Sequence, residues 1–167
     1  MYQGSKMTTE KRNLTITSDP GHGWLSVSLK DLKDLGITDK ISSYSYMNLT
    51  RAYLEEDQDL TIFINAAKAK GWELSIKKST VDSTPIRGYA SYNEEKLDLA
   101  LELKEGIEVT LFNSTHKTWS TKAKVTQIEG SKVFIECEFG NKYRVSKGKF
   151  LDSVKPVELE NISKPRM

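Results

Sequence analysis

The sequence predicts an α+β chain in two parts: a small mixed domain over residues 12–92 and a small closed β-barrel over 104–159, joined by a helix at 93–103. Three observations lead there. The last third is a series of short alternating segments separated by the turn pairs Glu129-Gly130 and Gly140-Asn141, which is how the strands of a small barrel follow one another. The first half instead mixes period-two stretches with two segments of three-four apolar spacing. Charge divides in the same way. From Lys104 onward twelve Lys/Arg stand against eight Asp/Glu, whereas residues 1–103 hold thirteen against fifteen.

The elements follow in order. Residues 1–11 are polar and are expected to be frayed. Asn13 to Thr17 alternates as a strand, Asp19-Pro20-Gly21-His22-Gly23 is a turn, and Trp24 to Val27 resumes the strand. Ser28 caps a short helix carrying Leu29, Leu32 and Leu35, and Gly36 ends it. Ile41–Tyr46 and Arg51–Leu54 form a hairpin about Met47–Thr50. Asp57 or Asp59 caps a second helix with Leu60, Phe63, Ile64 and Ala67 on one face, stopped by Gly71. Trp72–Ile76 is a strand, and Lys77–Tyr92 an extended tail. Glu94–Leu103 is a linker helix with Leu97, Ala100 and Leu101 as its apolar face. The barrel strands are Glu105–Phe112, Lys122–Ile128, Lys132–Phe139, Lys142–Val145 and Leu151–Val157, with a polar tail over 160–167.

Bulk properties exclude more than they assign. A net charge of +2 over 167 residues implies no partner by itself. One cysteine, Cys137, excludes an internal disulfide and fits a reducing compartment, and its mid-strand position marks it as a small buried hydrophobe. No apolar run approaches membrane-span length, and the first residues lack the layout of a secretion signal. No motif gathers a nucleophile, a base and an orienting group, so no enzymatic activity, cofactor or metal is expected.

Several residues admit two readings. His22 sits between two glycines beside Trp24, but the only other histidine is His116, in the second part. A metal or nucleophilic site needs more partners than that, so a rigid turn with Trp24 as core anchor is the favoured reading. Glu55, Glu56 and Asp57 read first as a solvated, helix-capping acidic cluster. Tyr44 and Tyr46 share a strand face by the two-residue period, and with Glu55 and Glu56 they make either a protein-contact surface or cross-strand packing.

The basic residues carry the main functional inference. Between Thr115 and Lys149 there are eight Lys/Arg against three Asp/Glu. Lys122 and Lys124 share one strand face, as do Lys142 and Arg144, so strand pairing would project four cations from one surface. Loop residues Lys117, Lys147 and Lys149 extend it. Phosphate binding to such a surface releases counterions and depends steeply on salt. Trp119 is either a base-stacking residue or a lid on the barrel core. No helix-turn-helix, zinc spacing or basic recognition helix is present, so any DNA contact would be backbone-directed and non-specific.

Two resemblances add to this reading. Ser18-Asp-Pro-Gly-His-Gly-Trp-Leu25, with Leu35-Gly-Ile37, Ile41-Ser-Ser-Tyr-Ser-Tyr46, Ala52-Tyr-Leu-Glu-Glu-Asp57, Phe63 and Ile86-Arg-Gly-Tyr89, resembles a family of small phage-encoded proteins. The likeness covers about half the chain and departs at Met47–Thr50, where a Gly-containing turn is common, and at Gln58. It implies a phage accessory protein acting in the bacterial host cytoplasm, without a defined activity. Glu105-Gly-Ile-Glu-Val-Thr-Leu111, Ala123–Ile128 and Lys132–Glu136 are similar to SH3-like barrels of the KOW and Tudor type, although the loop Asn113–Ser120 lacks the expected glycine. Together the architecture and length look like the MotB-type modifiers of transcription. That likeness implies non-specific, nucleoid-associated DNA binding that alters host or phage transcription, with a host transcription or nucleoid protein as a further partner. The alternative is a protein-interaction module that redirects a host protein through its N-terminal domain.

Overall fold

The computed structural model describes residues 9–113 and 117–154. The expectations for the first eight residues, for His116 and for the tail over 160–167 lie outside the described residues. The first sheet has six strands in the order β5-β1-β2-β4-β3-β6. The chain enters it through β1 (Lys11–Ser18) and turns back as β2 (Gly23–Ser28). Lys11, expected to be frayed, is already paired with Glu73.

Ser28 accepts a hydrogen bond from the Asp31 N–H and caps α1 (Leu29–Asp34). Gly36, at φ +67°, lets the Ile37 N–H reach back to the Leu32 carbonyl and so satisfies a carbonyl the helix end would otherwise leave open. The helix α2 (Leu60–Ala69) ends in the same way at Gly71, with Trp72 N–H bonded to the Ala67 carbonyl. Both glycine stops were expected from the sequence.

The expected hairpin from Ile41 is much shorter. Only Tyr46–Met47 forms β3, paired with β4 (Arg51–Glu55) about Asn48–Thr50. A buried carboxylate explains the difference. Asp59 Oδ2 accepts from the Ser42 N–H (3.0 Å), the Ser42 hydroxyl (2.8 Å) and the Ser45 hydroxyl (2.5 Å), while Ser45 Oγ accepts from the Glu55 N–H (2.9 Å). These bonds curl residues 42–45 into a turn. They also occupy the Asp59 side chain, which leads into α2 without making a cap bond.

The strand expected at Trp72–Ile76 runs further, as β5 (Glu73–Thr80), and pairs in parallel with β1 over eight residue pairs from Lys11↔Glu73 to Ser18↔Thr80. Its second half is polar because β5 is an edge strand, so no apolar alternation marks it in the sequence. The expected extended tail contains a 3-10 turn at Pro85–Gly88 and the short β6 (Ala90–Ser91). In α3 (Leu97–Glu102) the buried side chains are Leu97, Leu99 and Ala100, whereas Leu101 is exposed.

The second sheet is an antiparallel meander of β7 (Glu108–Asn113), β8 (Thr118–Glu129), β9 (Lys132–Cys137) and β10 (Lys142–Ser146) in the order β10-β9-β8-β7. It does not close into a barrel among the described residues. After α4 (Lys147–Phe150), the segment expected as a fifth strand, Leu151–Val157, begins as a 3-10 turn, Leu151–Ser153, and makes a single bridge from Val154 back to Leu111; its last three residues lie outside the described residues. Phe150, Leu151 and Val154 are fully buried. Gly148 allows this packing, since a Cβ there would stand 2.6 Å from the Tyr89 ring. The buried Lys96 ammonium donates to the Leu151 carbonyl, and burial lowers its pKa. One contiguous set of buried side chains, from Leu14 to Val154, runs through both sheets.

Replacing Asp59 with Ala strips the acceptor from three donors in a buried setting. Each unmet donor costs on the order of 1–3 kcal/mol, so chemical denaturation should show a loss of about 3 kcal/mol, with a smaller loss for Ser45→Ala.

Candidate functional site

Two regions hold the residues singled out in the sequence. The first is the outer face of the second sheet. Cross-strand register places Glu108, Lys124, Glu136 and Lys142 in one row across all four strands. The next row pairs Lys122 with Thr110, and the Lys122 N–H donates to Glu138 Oε1 (3.3 Å). Lys122, Lys124, Lys142 and Arg144 do lie on one face, as strand pairing required. The same pairing sets Glu108, Glu136 and Glu138 among them, so the face is of mixed charge rather than basic. A groove of about 540 Å³ runs along it, lined by Lys122, Lys124, Glu108, Glu136 and Glu138. None of the ion pairs among the described residues involves the four cations.

The loop cations do not extend this face as one patch. Lys117 is exposed in the turn before β8, with φ +51°. Lys147 begins α4 and its N–H bonds to the Ser131 carbonyl, at the other end of the twelve-residue β8. At about 3.3 Å per residue, the two ends of such a strand stand tens of ångströms apart. Lys147 is half-buried and Lys149 stands 3.9 Å from Asp152. Trp119 pairs through its backbone with Phe112, and its side chain lies outside the described residues.

The edge of the sheet is different. On β10 Lys142, Tyr143 and Arg144 are all exposed, and Phe139, in the turn between β9 and β10, is 80% exposed. Two cations and two aromatic rings therefore follow one another on an open edge. An alternating strand normally hides every second residue, so the sequence pattern alone would place Tyr143 on the covered side of its strand. β10 is an edge strand whose first residues have no sheet beyond them.

The second region lies on the first sheet. Trp24 and Glu55 are cross-strand partners, and Tyr46 and Tyr53 continue the same face. The segment Pro85–Tyr89 crosses it. Arg87 forks both oxygens of Asp19 (2.6 and 2.9 Å) and lies over the Trp24 ring at 5.0 Å, while Tyr89 meets the Tyr53 ring at 5.2 Å. Asp19 also accepts from the N–H groups of Gly21 and His22 (2.9 and 3.0 Å). The Arg87 fork and these N–H bonds hold its carboxyl well below the usual aspartate range. Residues from the Asp19–Trp24 turn, from Tyr46, from Tyr53–Glu55 and from the Arg87–Tyr89 segment thus converge on one face. Arg87 and Asp19 are the functional candidates that the residue-level reading missed, since nothing in the sequence announces a pair 68 residues apart.

The expected contact surface of Tyr44, Tyr46, Glu55 and Glu56 is not a single exposed patch. Tyr44 is 71% exposed, but it sits in the turn made by the Ser42/Ser45–Asp59 network, so it is off the strand and does not share a face with Tyr46. Tyr46 is half-buried with its edge toward Trp24 at 6.2 Å. Glu55 is buried and Glu56 exposed. Cys137 is buried and its thiol is pushed up by that burial, which leaves little thiolate at neutral pH.

No family model matches the chain, and comparisons with curated proteins and with solved structures give no match. No helix among the described residues is long and apolar enough to cross a membrane.

Because the folded-state carboxyl of Asp19 titrates below its unfolded value, its contribution to stability is complete above the ordinary aspartate pKa of about 4. It is lost as pH falls through that value toward the depressed one. Thermal unfolding followed from pH 7 to pH 2 should show a shallower acid limb in Asp19→Asn than in the parent, along with a lower Tm at pH 7.

Proposed function

We propose that the chain is a non-enzymatic DNA-binding protein that contacts the sugar-phosphate backbone without sequence preference through the β9–β10 edge. The observation that carries this reading is the exposure of Lys142, Tyr143 and Arg144 on an open edge strand, with Phe139 exposed in the turn before it. Cations supply the salt-dependent, sequence-independent attraction to phosphates, and aromatic faces stack on sugars or unpaired bases. At the edge Arg144 stands opposite Phe134 and only Lys142 is paired with an acid, Glu136, whereas Lys122 and Lys124 lie among Glu108, Glu136 and Glu138, which would repel phosphate; this argues for placing the contact at the edge.

The order of elements supports a relation to SH3-like barrels. Four antiparallel strands are followed by a 3-10 turn, and the chain then returns to the first of them at Leu111↔Val154. With the likeness of the first half to phage-encoded proteins, this favours an accessory role in a bacterial host, acting on transcription or nucleoid organisation as the MotB-type modifiers do.

Fluorescence anisotropy with a labelled duplex across a salt series tests the assignment. Reversing Lys142 and Arg144 to Glu should weaken binding and reduce the slope of log K against log salt by about 2, roughly one for each phosphate that is no longer neutralised. Lys122→Glu with Lys124→Glu should change it far less. Equal affinity of the Lys142/Arg144 variant and the parent would remove the site.

A further inference from the structure

We infer that His22, Glu55 and Asp57 form a binding site for a divalent transition-metal ion, of which Zn²⁺ is the best-suited probe. One ligand atom from each of these side chains lies within 4.8 Å of the other two. They come from the start of β2 and the end of β4, which the sheet holds side by side. His22 closes the turn into β2, and Glu55 ends β4, whose register sets it opposite Trp24. Asp57 follows in the turn before α2, where its N–H donates to Glu55 Oε2 (3.0 Å).

A second observation points to a ligand. Glu55 is only 7% exposed, and its Oε2 is occupied by the Asp57 N–H, yet Oε1 is buried without accepting a hydrogen bond. That oxygen faces His22 Nδ1 at 3.6 Å, too long for a hydrogen bond. A carboxylate oxygen buried without a hydrogen bond is costly; a protonated His22 at ion-pair distance would offset this in part, and a cation between the imidazole and the carboxylates would satisfy it. Nδ1 is free to serve as a ligand in the neutral imidazole when the proton sits on Nε2.

The donor set suits the ion class. One imidazole nitrogen with carboxylate oxygens matches Zn²⁺ and its first-row neighbours, whereas Mg²⁺ and Ca²⁺ prefer oxygen alone. Bonds of about 2.0–2.2 Å would need His22 and Asp57 to close slightly on Glu55. Both are exposed and on turns, so that adjustment is available to them. Three protein donors leave a fourth tetrahedral position for water or another ligand. The site lies beside the Asp19–Arg87 pair and Trp24, whose ring centroid is 6.1 Å from that of His22.

The test is calorimetric titration of chelator-treated full-length protein with Zn²⁺, with Co²⁺ absorption in the visible range as a readout of ligand geometry. One equivalent should bind. Loss of a direct ligand should match or exceed the roughly 10- to 100-fold effect of losing an outer-shell partner. His22→Ala and Asp57→Ala should therefore each weaken binding by at least about tenfold. Both replaced side chains are exposed, so circular dichroism should show these variants folded where Glu55→Gln, in a buried position, need not be. His116→Ala should bind as the parent does. Absence of a stoichiometric site would overturn the proposal, as would unchanged affinity in both His22→Ala and Asp57→Ala, or loss of binding only in His116→Ala.

Discussion

The bidentate pair between Asp19 and Arg87 is the long-range contact that fixes how the Pro85–Tyr89 segment lies on the first sheet. Its two members are far apart in the chain, and joining them straps the Pro85–Tyr89 segment across the second face of the first sheet. Under that strap Trp24 is almost completely buried, and Tyr53 gains the Tyr89 ring as a neighbour. The strap reaches further. Tyr89 is the side chain against which Gly148 packs, and α4 carries Phe150 and Leu151 into the buried set shared by the two sheets. The guanidinium serves twice, forking a carboxylate and covering an indole, a combination that the compact ammonium of lysine does not reproduce.

Local signals were legible wherever the physics is local. Ser28 capping α1, and Gly36 and Gly71 ending the two helices, each follow from the needs of a helix terminus. The turn residues about Gly130 and Gly140 likewise marked the hairpins of the second sheet. What was not legible depends on partners distant in sequence. The polar residues Lys77 to Thr80 form a strand only because β1 is there to pair with them. Residues 42–45 look like a strand until the buried Asp59 carboxylate gathers their hydroxyl and amide groups into a turn. Leu151 and Val154 read as part of one closing strand, yet Leu151 is buried from a 3-10 turn and only Val154 is extended, bridging to Leu111.

The basic surface shows the same limit. Period-two alternation correctly put Lys122 with Lys124 and Lys142 with Arg144, because that is a property of each strand alone. Which residues stand opposite is set by register, and register brought Glu108 and Glu136 into the same row. A count of eight cations against three acids along the chain is therefore not a count on a surface. The cluster of His22, Glu55 and Asp57 escaped for a related reason, since the sequence separates the histidine from the acids by a helix and a hairpin.

The parallel partnership of β1 and β5 has a consequence for how the protein reaches this state. β1 lies inside the sheet, with β2 on one side and β5 on the other, and β5 is made only after two helices and a hairpin have intervened. A nascent chain can form the β1–β2 hairpin early, but one edge of β1 stays unpaired until Thr80 has left the ribosome. Long-range pairing of this kind slows folding relative to local pairing. During synthesis the bare edge of β1 is the surface that a chaperone, or a second nascent chain, would meet first.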